Sequence, residues 1–178
     1  MRPGLKLLAP LMLAGLLQAG AAQALAELRP WKAGATPALS LKDAQGTTRS
    51  LAALKGKVVL VTFWATWCEP CREEMPALAK LKRDLGESFE ILSVNYGESQ
   101  QKAEAFLGTV LQPAESAAMK VLYDHDTSVA KRWNARMLPA SFVVGRNGRI
   151  AYTLVGETDW AASGTLEALR TLLAAKLC

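Results

Sequence analysis

The sequence predicts an α/β fold: a mixed central sheet with helices on both sides and a small β-hairpin added at the N-terminal end. Three observations carry this expectation. The run Val58-Val59-Leu60-Val61-Thr62-Phe63-Trp64 is apolar on both of its alternating faces, as a strand covered from both sides must be. Phe89 to Tyr96 repeats the pattern. Around these runs, apolar residues recur at helical spacing: 71, 75, 78, 81 and 85, then Ala103, Phe106, Leu107 and Val110, then Leu166, Leu169, Leu172 and Leu173. Strands alternating with helices, closed by a hairpin and a last helix, give a layered sheet.

The N-terminus reads as an address. Arg2 and Lys6 are followed by an uncharged stretch from Leu7 to Ala26 that contains Ala22-Gln23-Ala24. A charged start, an apolar run and a small-x-small end describe a cleavable secretory signal, assigned to residues 1–24. An uncleaved anchor is the alternative, because about twenty uncharged residues can just cross a bilayer. The dense leucines end at Leu17, which favours cleavage. No cysteine stands at the cleavage site, so a lipid anchor is not expected. Either reading puts the domain outside the cytoplasm, in a bacterial periplasm or its equivalent.

Residues 25–36 read as a polar linker, and 37–178 as the folded domain. Ala38 to Leu41 alternates, Asp43-Ala44-Gln45-Gly46 turns, and Thr47-Thr48-Arg49 returns as a hairpin. Ser50 caps a brief helical turn through Leu54. Lys57 to Ala65 is the central strand. The helix after it ends at Gly86 and contains Pro76, which lacks the N–H that would bond the Arg72 carbonyl, so a kink is expected. Phe89 to Tyr96 is a second buried strand, and Gly97-Glu98-Ser99 opens a helix through Leu111. Met119 to Tyr123 is a short strand, and Asp126-Thr127-Ser128 caps a helix through Trp133. Ser141–Val144 and Arg149–Val155 pair across the tight turn Arg146-Asn147-Gly148. A helix from Thr165 to Lys176 closes the chain.

At 178 residues the chain is one domain, large enough to bury a core without disulfide staples. Its formal charge of +5 falls to +3 without Arg2 and Lys6, and no basic cluster is interleaved with aromatics. Nucleic acid is therefore not an expected partner. The three cysteines, Cys68, Cys71 and Cys178, are too few for a disulfide scaffold and suit a disulfide used for chemistry.

Trp67-Cys68-Glu69-Pro70-Cys71 sits where the central strand hands over to a helix. At a helix start the Cys68 sulfur faces free N–H groups and the positive end of the dipole, which favour the attacking thiolate. Cys71, one turn on, can close the disulfide and release a mixed-disulfide partner. A static disulfide or half of a zinc site is the alternative, but zinc needs further ligands, and only Cys178 and His125 remain. No metal or other cofactor is expected beyond the Cys68–Cys71 couple itself. Pro70 suits a first helical turn. Glu69 places negative charge near the sulfurs, or pairs with Arg72 as an ordinary solvated residue. Trp67 offers a flat apolar contact surface for substrate, whereas Trp64 belongs in the core, and Trp133 and Trp160 serve packing or surface. His125, between Asp124 and Asp126, reads as a solvated turn residue.

Glu74 is the sharper case. It shares a helix face with Cys71, Met75 and Leu78, and Ala77 and Leu78 at i+3 and i+4 offer no basic partner. A carboxyl leaning into apolar surroundings has a raised pKa and can shuttle a proton to a cysteine. The alternative is an exposed helix glutamate.

Trp-Cys-x-x-Cys after a strand, Pro76 five residues beyond, and Leu138-Pro139 before Ala-Ser-Phe-Val-Val resemble the thioredoxin-fold proteins. Phe-Trp-Ala-Thr-Trp-Cys-Glu-Pro-Cys-Arg-Glu-Glu-Met-Pro and Ser-Val-Asn-Tyr-Gly-Glu-Ser are similar to the extracytoplasmic TlpA/ResA/CcmG branch, over about Thr36 to the end. The resemblance implies a protein disulfide oxidoreductase of periplasmic or membrane-tethered type. It also implies protein disulfides as substrates, the haem-binding cysteines of apocytochrome c among them. Electrons would come from a membrane donor of the CcdA/DsbD type. It implies a cis bond at Pro139, with the Leu138 backbone free to pair with a substrate strand. Cytoplasmic thioredoxins carry a buried Asp on the strand before the cysteines. Thr62 stands at that position and cannot titrate usefully, which points again to Glu74. Two further readings stay open at this level: an oxidase or isomerase running the same couple in the other direction, and a metallochaperone or binding module on the same fold. Glu-Pro does not resemble the Pro-His dipeptide of strong oxidants. Met75 and His125 are poorly spaced as extra copper ligands. Cys178 reads as a free thiol, with an intermolecular disulfide and an alternative attack on Cys68 as the other readings.

Overall fold

The structure, a computed structural model, describes residues 25–176. The expected signal segment 1–24 and Cys178 lie outside the described residues.

The strand expected around residues 57–65 is β4, Val58–Trp64, and all seven of its residues are buried. It is paired on both edges. On one side it runs parallel to β5, Phe89–Tyr96, which in turn pairs in parallel with β6, Lys120–Asp124. On the other it is antiparallel to β7, Ala140–Val144, which continues as a hairpin into β8, Ile150–Val155. The sixth strand is β1, Arg29–Pro30, antiparallel to β8. The sheet order is β1-β8-β7-β4-β5-β6. Residues 25–36, expected as a linker, thus contribute an edge strand. Backbone pairing to an existing edge needs no apolar pattern, so their polar sequence did not reveal it. A separate hairpin joins β2, Ser40–Lys42, and β3, Thr48–Ser50. Ser50 then caps a 3₁₀ turn over Leu51–Leu54 by accepting the Ala53 N–H, as expected.

Among the described residues five helices accompany the sheet: α1 Glu69–Leu85, α2 Gln100–Val110, α3 Pro113–Ala118, α4 Ser128–Arg132 and α5 Ser163–Ala174. Helix α1 holds Pro76 in its interior and ends at Gly86, whose φ of 69° suits a glycine. Helix α3 was not foreseen. It buries no residue, and it rests on local chemistry, with Pro113 in its first turn and a reciprocal capping box between Gln112 and Glu115. Thr127, expected within the cap of α4, is left-handed at φ 58°. The free N–H groups of α4 go instead to Asp126, which accepts from Ser128, and to buried Asp124, which accepts from Val129 and Ala130.

The two faces of the sheet bury separate cores. On one, Trp64, Met75, Leu78, Phe89, Ile91, Leu107, Trp160 and Leu169 pack beneath α1, α2 and α5. On the other, Phe63, Trp133 and Phe142 meet edge-on or tilted, with ring centroids 5.1 to 6.0 Å apart. Trp64, Trp133 and Trp160 are therefore all packing residues.

The registers place the ends of four strands together. Trp64 lies beside Asn95, Phe63 beside Ala140, and Ala140 beside Val155. The segments leaving β4, β5 and β8, and the one entering β7, consequently share one edge of the sheet.

Candidate active site

Cys68 is the N-cap residue of α1, and its sulfur accepts the backbone N–H of Cys71 at 3.3 Å. This is the geometry expected of a sulfur at a helix start. The N–H dipole and the positive helix end both favour negative charge on it. Cys68 and Cys71 form a disulfide, with Cα atoms 5.3 Å apart, and both are buried. Pro70 lies in the first helical turn and is half-buried. Glu69 is exposed, with Arg72 3.9 Å away. Arg72 also lies over the Phe106 ring, which packs against Trp64.

The approach to the cysteines is apolar and open. Trp67 is 65% exposed and Met137 66% exposed. The Leu138–Pro139 peptide is cis, as the resemblance implied, and it leads directly into β7. Leu138 is half-buried, and the Pro139 carbonyl accepts the Gly156 N–H at 2.9 Å. The cis-proline and the loop after β8 are thus tied together at the edge from which Cys68 emerges.

Glu74 is buried, 4% exposed, one turn behind Cys71. Burial raises its pKa from 4.5 to about 7. The backbone N–H of Thr158, at 2.8 Å from Oε1, works in the opposite direction, and the nearby Glu157 charge adds to the rise. The Trp160 indole N–H also lowers the value, yet it makes no well-directed hydrogen bond and has no partner among the described residues. Thr158 is itself held by the start of the described chain. Its hydroxyl donates to the Ala26 carbonyl at 2.6 Å, and the Ala26 N–H donates to the Glu157 carbonyl at 2.7 Å.

Thr62 is buried and accepts a hydrogen bond from the Ser141 hydroxyl at 3.0 Å. Two neutral hydroxyls therefore meet across the β4–β7 pair.

Sequence reasoning missed three residues here. Glu98, read as part of a helix start and of the Ser-Val-Asn-Tyr-Gly-Glu-Ser segment but given no role, accepts from the Thr66 N–H at 2.8 Å, the Thr66 hydroxyl at 2.6 Å, the Asn95 amide at 2.9 Å and Lys102 at 2.7 Å. Burial alone would raise its pKa, but the bonds from Lys102, Thr66 and Asn95 outweigh burial and hold it at about 2. Glu98 thereby fixes the loop that enters Trp67 and Cys68. Its sequence signals were its place just before the Ser99 cap and within the Ser-Val-Asn-Tyr-Gly-Glu-Ser segment, and neither pointed to Thr66. Thr158 and Trp160 gave no signal, because their link to Glu74 spans most of the domain. His125 is exposed as expected, but its Nδ1 lies 2.8 Å from the Glu98 carbonyl and its ring stacks on Tyr123. Among the described residues no three His, Cys, Asp or Glu side chains gather to hold a metal ion.

Comparison with known proteins agrees with this geometry. A family model described as Redoxin matches residues 32–172. The thioredoxin-like protein YneN of Bacillus subtilis is 33% identical over 123 residues, covering 67% of this chain and 69% of that protein. The thiol-disulfide oxidoreductase ResA of the same organism is 32% identical over 121 residues, covering 67% of this chain and 65% of that protein. The chain thus spans about two thirds of the length of these relatives. A crystal structure of a thiol:disulfide interchange protein of the thioredoxin family from Chlorobium tepidum superposes with a TM-score of 0.65 at 23% identity, over 83% of this chain and 99% of that one. That likeness establishes the thioredoxin-like fold. The chain belongs to the Redoxin family, and Cys68 and Cys71 are its thiol–disulfide oxidoreductase pair.

Proposed function

We propose that the protein is an extracytoplasmic reductase of protein disulfides, with the haem-binding cysteines of apocytochrome c as substrate and a membrane thiol donor of the CcdA/DsbD type as its source of electrons. The observation that carries the proposal is Glu74. A buried, protonatable carboxyl one turn behind Cys71 can take the resolving cysteine's proton near neutral pH. The substrate and the compartment are supported by the likeness of the Cys-Glu-Pro-Cys segment and Glu74 to the ResA branch, and by the signal-like N-terminus.

Catalysis starts from the dithiol. The Cys68 thiolate attacks one sulfur of the substrate disulfide. That bond breaks, a Cys68–substrate disulfide forms, and the freed substrate sulfur takes a proton from water. Cys71 then gives its thiol proton to the Glu74 carboxylate and attacks Cys68. The Cys68–Cys71 bond forms, and the second substrate sulfur leaves and is protonated. Two electrons have passed from the protein to the substrate. The donor reverses the sequence and restores the dithiol. Trp67 and the Leu138 backbone beside cis-Pro139 receive the substrate chain, and Glu69 and Pro70 between the cysteines tune the couple.

Equilibration of the Cys68–Cys71 couple with dithiothreitol or glutathione tests the direction of the reaction. A potential near or below about −270 mV, the thioredoxin value, supports the reductase. One near about −120 mV, that of a strong oxidant, replaces it with an oxidase.

A further inference from the structure

The loop between β8 and α5 carries an unexplained group. Trp160 is 1% exposed, and its indole nitrogen has no hydrogen-bond partner among the described residues. A buried donor left unpaired costs free energy and calls for a reason. Thr158, two residues earlier on the same loop, bonds Glu74, and the indole acts on that carboxyl too, lowering its pKa. The Thr158 N–H already bonds Oε1 at 2.8 Å, leaving Oε2 for a second donor. A protonated carboxyl is a weak acceptor on its O–H oxygen. An ionised carboxylate accepts strongly on both oxygens.

We propose that Trp160 is a positioning residue for the thiol–disulfide reaction, its indole N–H being the donor that Glu74 takes up when its carboxyl ionises. This rests on the reading of Glu74 as the proton carrier. Thr158 and Trp160 then act as a pair from one loop, the first holding the carboxyl in place in both states and the second answering its change of charge. The loop is itself anchored, since the Thr158 hydroxyl bonds the Ala26 carbonyl and the Gly156 N–H bonds the Pro139 carbonyl. The other charged groups around Glu74 do not substitute for the indole. Arg72 and Glu73 on its own helix are exposed, Asp159 on the loop is exposed, and the Glu157 carboxylate opposes ionisation. Before substrate is resolved, the indole favours the carboxylate that must receive the Cys71 proton. Once Glu74 is protonated that bond relaxes, so the N–H governs how readily the carboxyl accepts and releases the proton.

The test uses the mature chain with Trp160→Phe, which removes the N–H and keeps an aromatic ring, alongside Glu74→Gln and the double variant. Reduction of a peptide disulfide is followed by single turnover from pH 5 to 9. In Trp160→Phe the Glu74-dependent step should move to higher pH by about one unit, a tenfold change in the proton equilibrium. In the Glu74→Gln background the Trp160 change should have no further effect. An unshifted step in Trp160→Phe, or the same shift with and without Glu74, overturns the proposal. If Glu74→Gln alone reduces at the wild-type rate at every pH, it is the reading of Glu74 that fails. A second measurement needs no Trp160 variant to fold. In the wild-type protein the Trp160 indole proton resonance should move downfield as pH rises through about 7 and stay still in Glu74→Gln. A resonance that ignores the titration of Glu74 overturns the proposal.

Discussion

The Glu98 carboxylate holds Thr66 by both its backbone N–H, at 2.8 Å, and its hydroxyl, at 2.6 Å. This bond joins the segment leaving β5 to the turn that delivers Trp67 and Cys68. Lys102 and Asn95 complete the carboxylate's partners, so the loop before the cysteines is fastened by a charge that is itself satisfied.

Glu98→Ala should therefore destabilise the domain, by about 3 kcal/mol, since several charge-assisted bonds are lost together and the half-buried Thr66 N–H is orphaned. The pH dependence follows from the lowered pKa. The folded value is about 2 against 4.5 unfolded, so the stabilisation is present above 4.5 and is lost as pH falls towards 2. Urea titrations at pH 7 and at pH 2 measure it. The gap between wild type and variant should narrow sharply at the lower pH, and an equal gap at both would show that the charge is not what matters.

Glu74 has the opposite sign. Its folded value is raised from 4.5 to about 7, so its contribution is full below 4.5 and is lost as pH climbs through 7. Over that window the wild-type protein should lose up to about 3 kcal/mol. Glu74→Gln keeps an acceptor for the Thr158 N–H and cannot ionise, so its stability should stay nearly flat. Thermal melts of the disulfide form from pH 4 to 9 compare the two, and parallel curves would count against a buried neutral acid.

Thr158→Val removes the hydroxyl bond to the Ala26 carbonyl but leaves the backbone bond to Glu74. The loss should be about 1 kcal/mol, read as a fall in Tm of about 2–4 °C. The pH at which Glu74 titrates should hardly change. A large change there would mean that the Ala26 contact, and not the peptide N–H, governs the carboxyl.

Glu90 is 3% exposed at the far end of β5, with Lys57 at 3.9 Å, Lys82 at 3.8 Å and Lys120 hydrogen-bonded to it. Removing the single acid leaves three cations facing one another. Glu90→Ala should cost about 2 kcal/mol at low salt, less than a fully buried pair would because the lysines reach solvent. Part of the loss should return in 1 M salt, where the Debye length is about 3 Å. Denaturant midpoints at two ionic strengths decide it, and an equal loss at both would point to packing.

The helices and strands of the sheet were legible because burial on both faces leaves a mark in composition. Val58–Trp64 and Phe89–Tyr96 could hardly be anything but central strands. Helix α3 was not legible, because it buries nothing and rests on one proline and one capping box. Strand β1 was missed for a related reason: two residues of backbone pairing at an edge carry no side-chain pattern.

At the site, the local part was written in the chain. Cys68 caps α1, Cys71 follows one turn later, and Glu74 follows one turn after that, all set by helical spacing. Its surroundings could not be read the same way. That Glu74 is buried at all depends on the loop after β8, and that loop depends on Ala26 and on the Pro139 carbonyl.

Sequence alone thus determined the α/β class, the paired cysteines, the carboxyl behind them and the proline before β7, because each follows from local periodicity or from a contiguous motif. Only the tertiary structure decided which groups meet that carboxyl and what holds the cysteine loop. Thr158, Trp160 and Glu98 reach the site through contacts between residues far apart in the chain. A pKa or an unpaired buried donor belongs to such an assembly of neighbours, and no single stretch of sequence contains it.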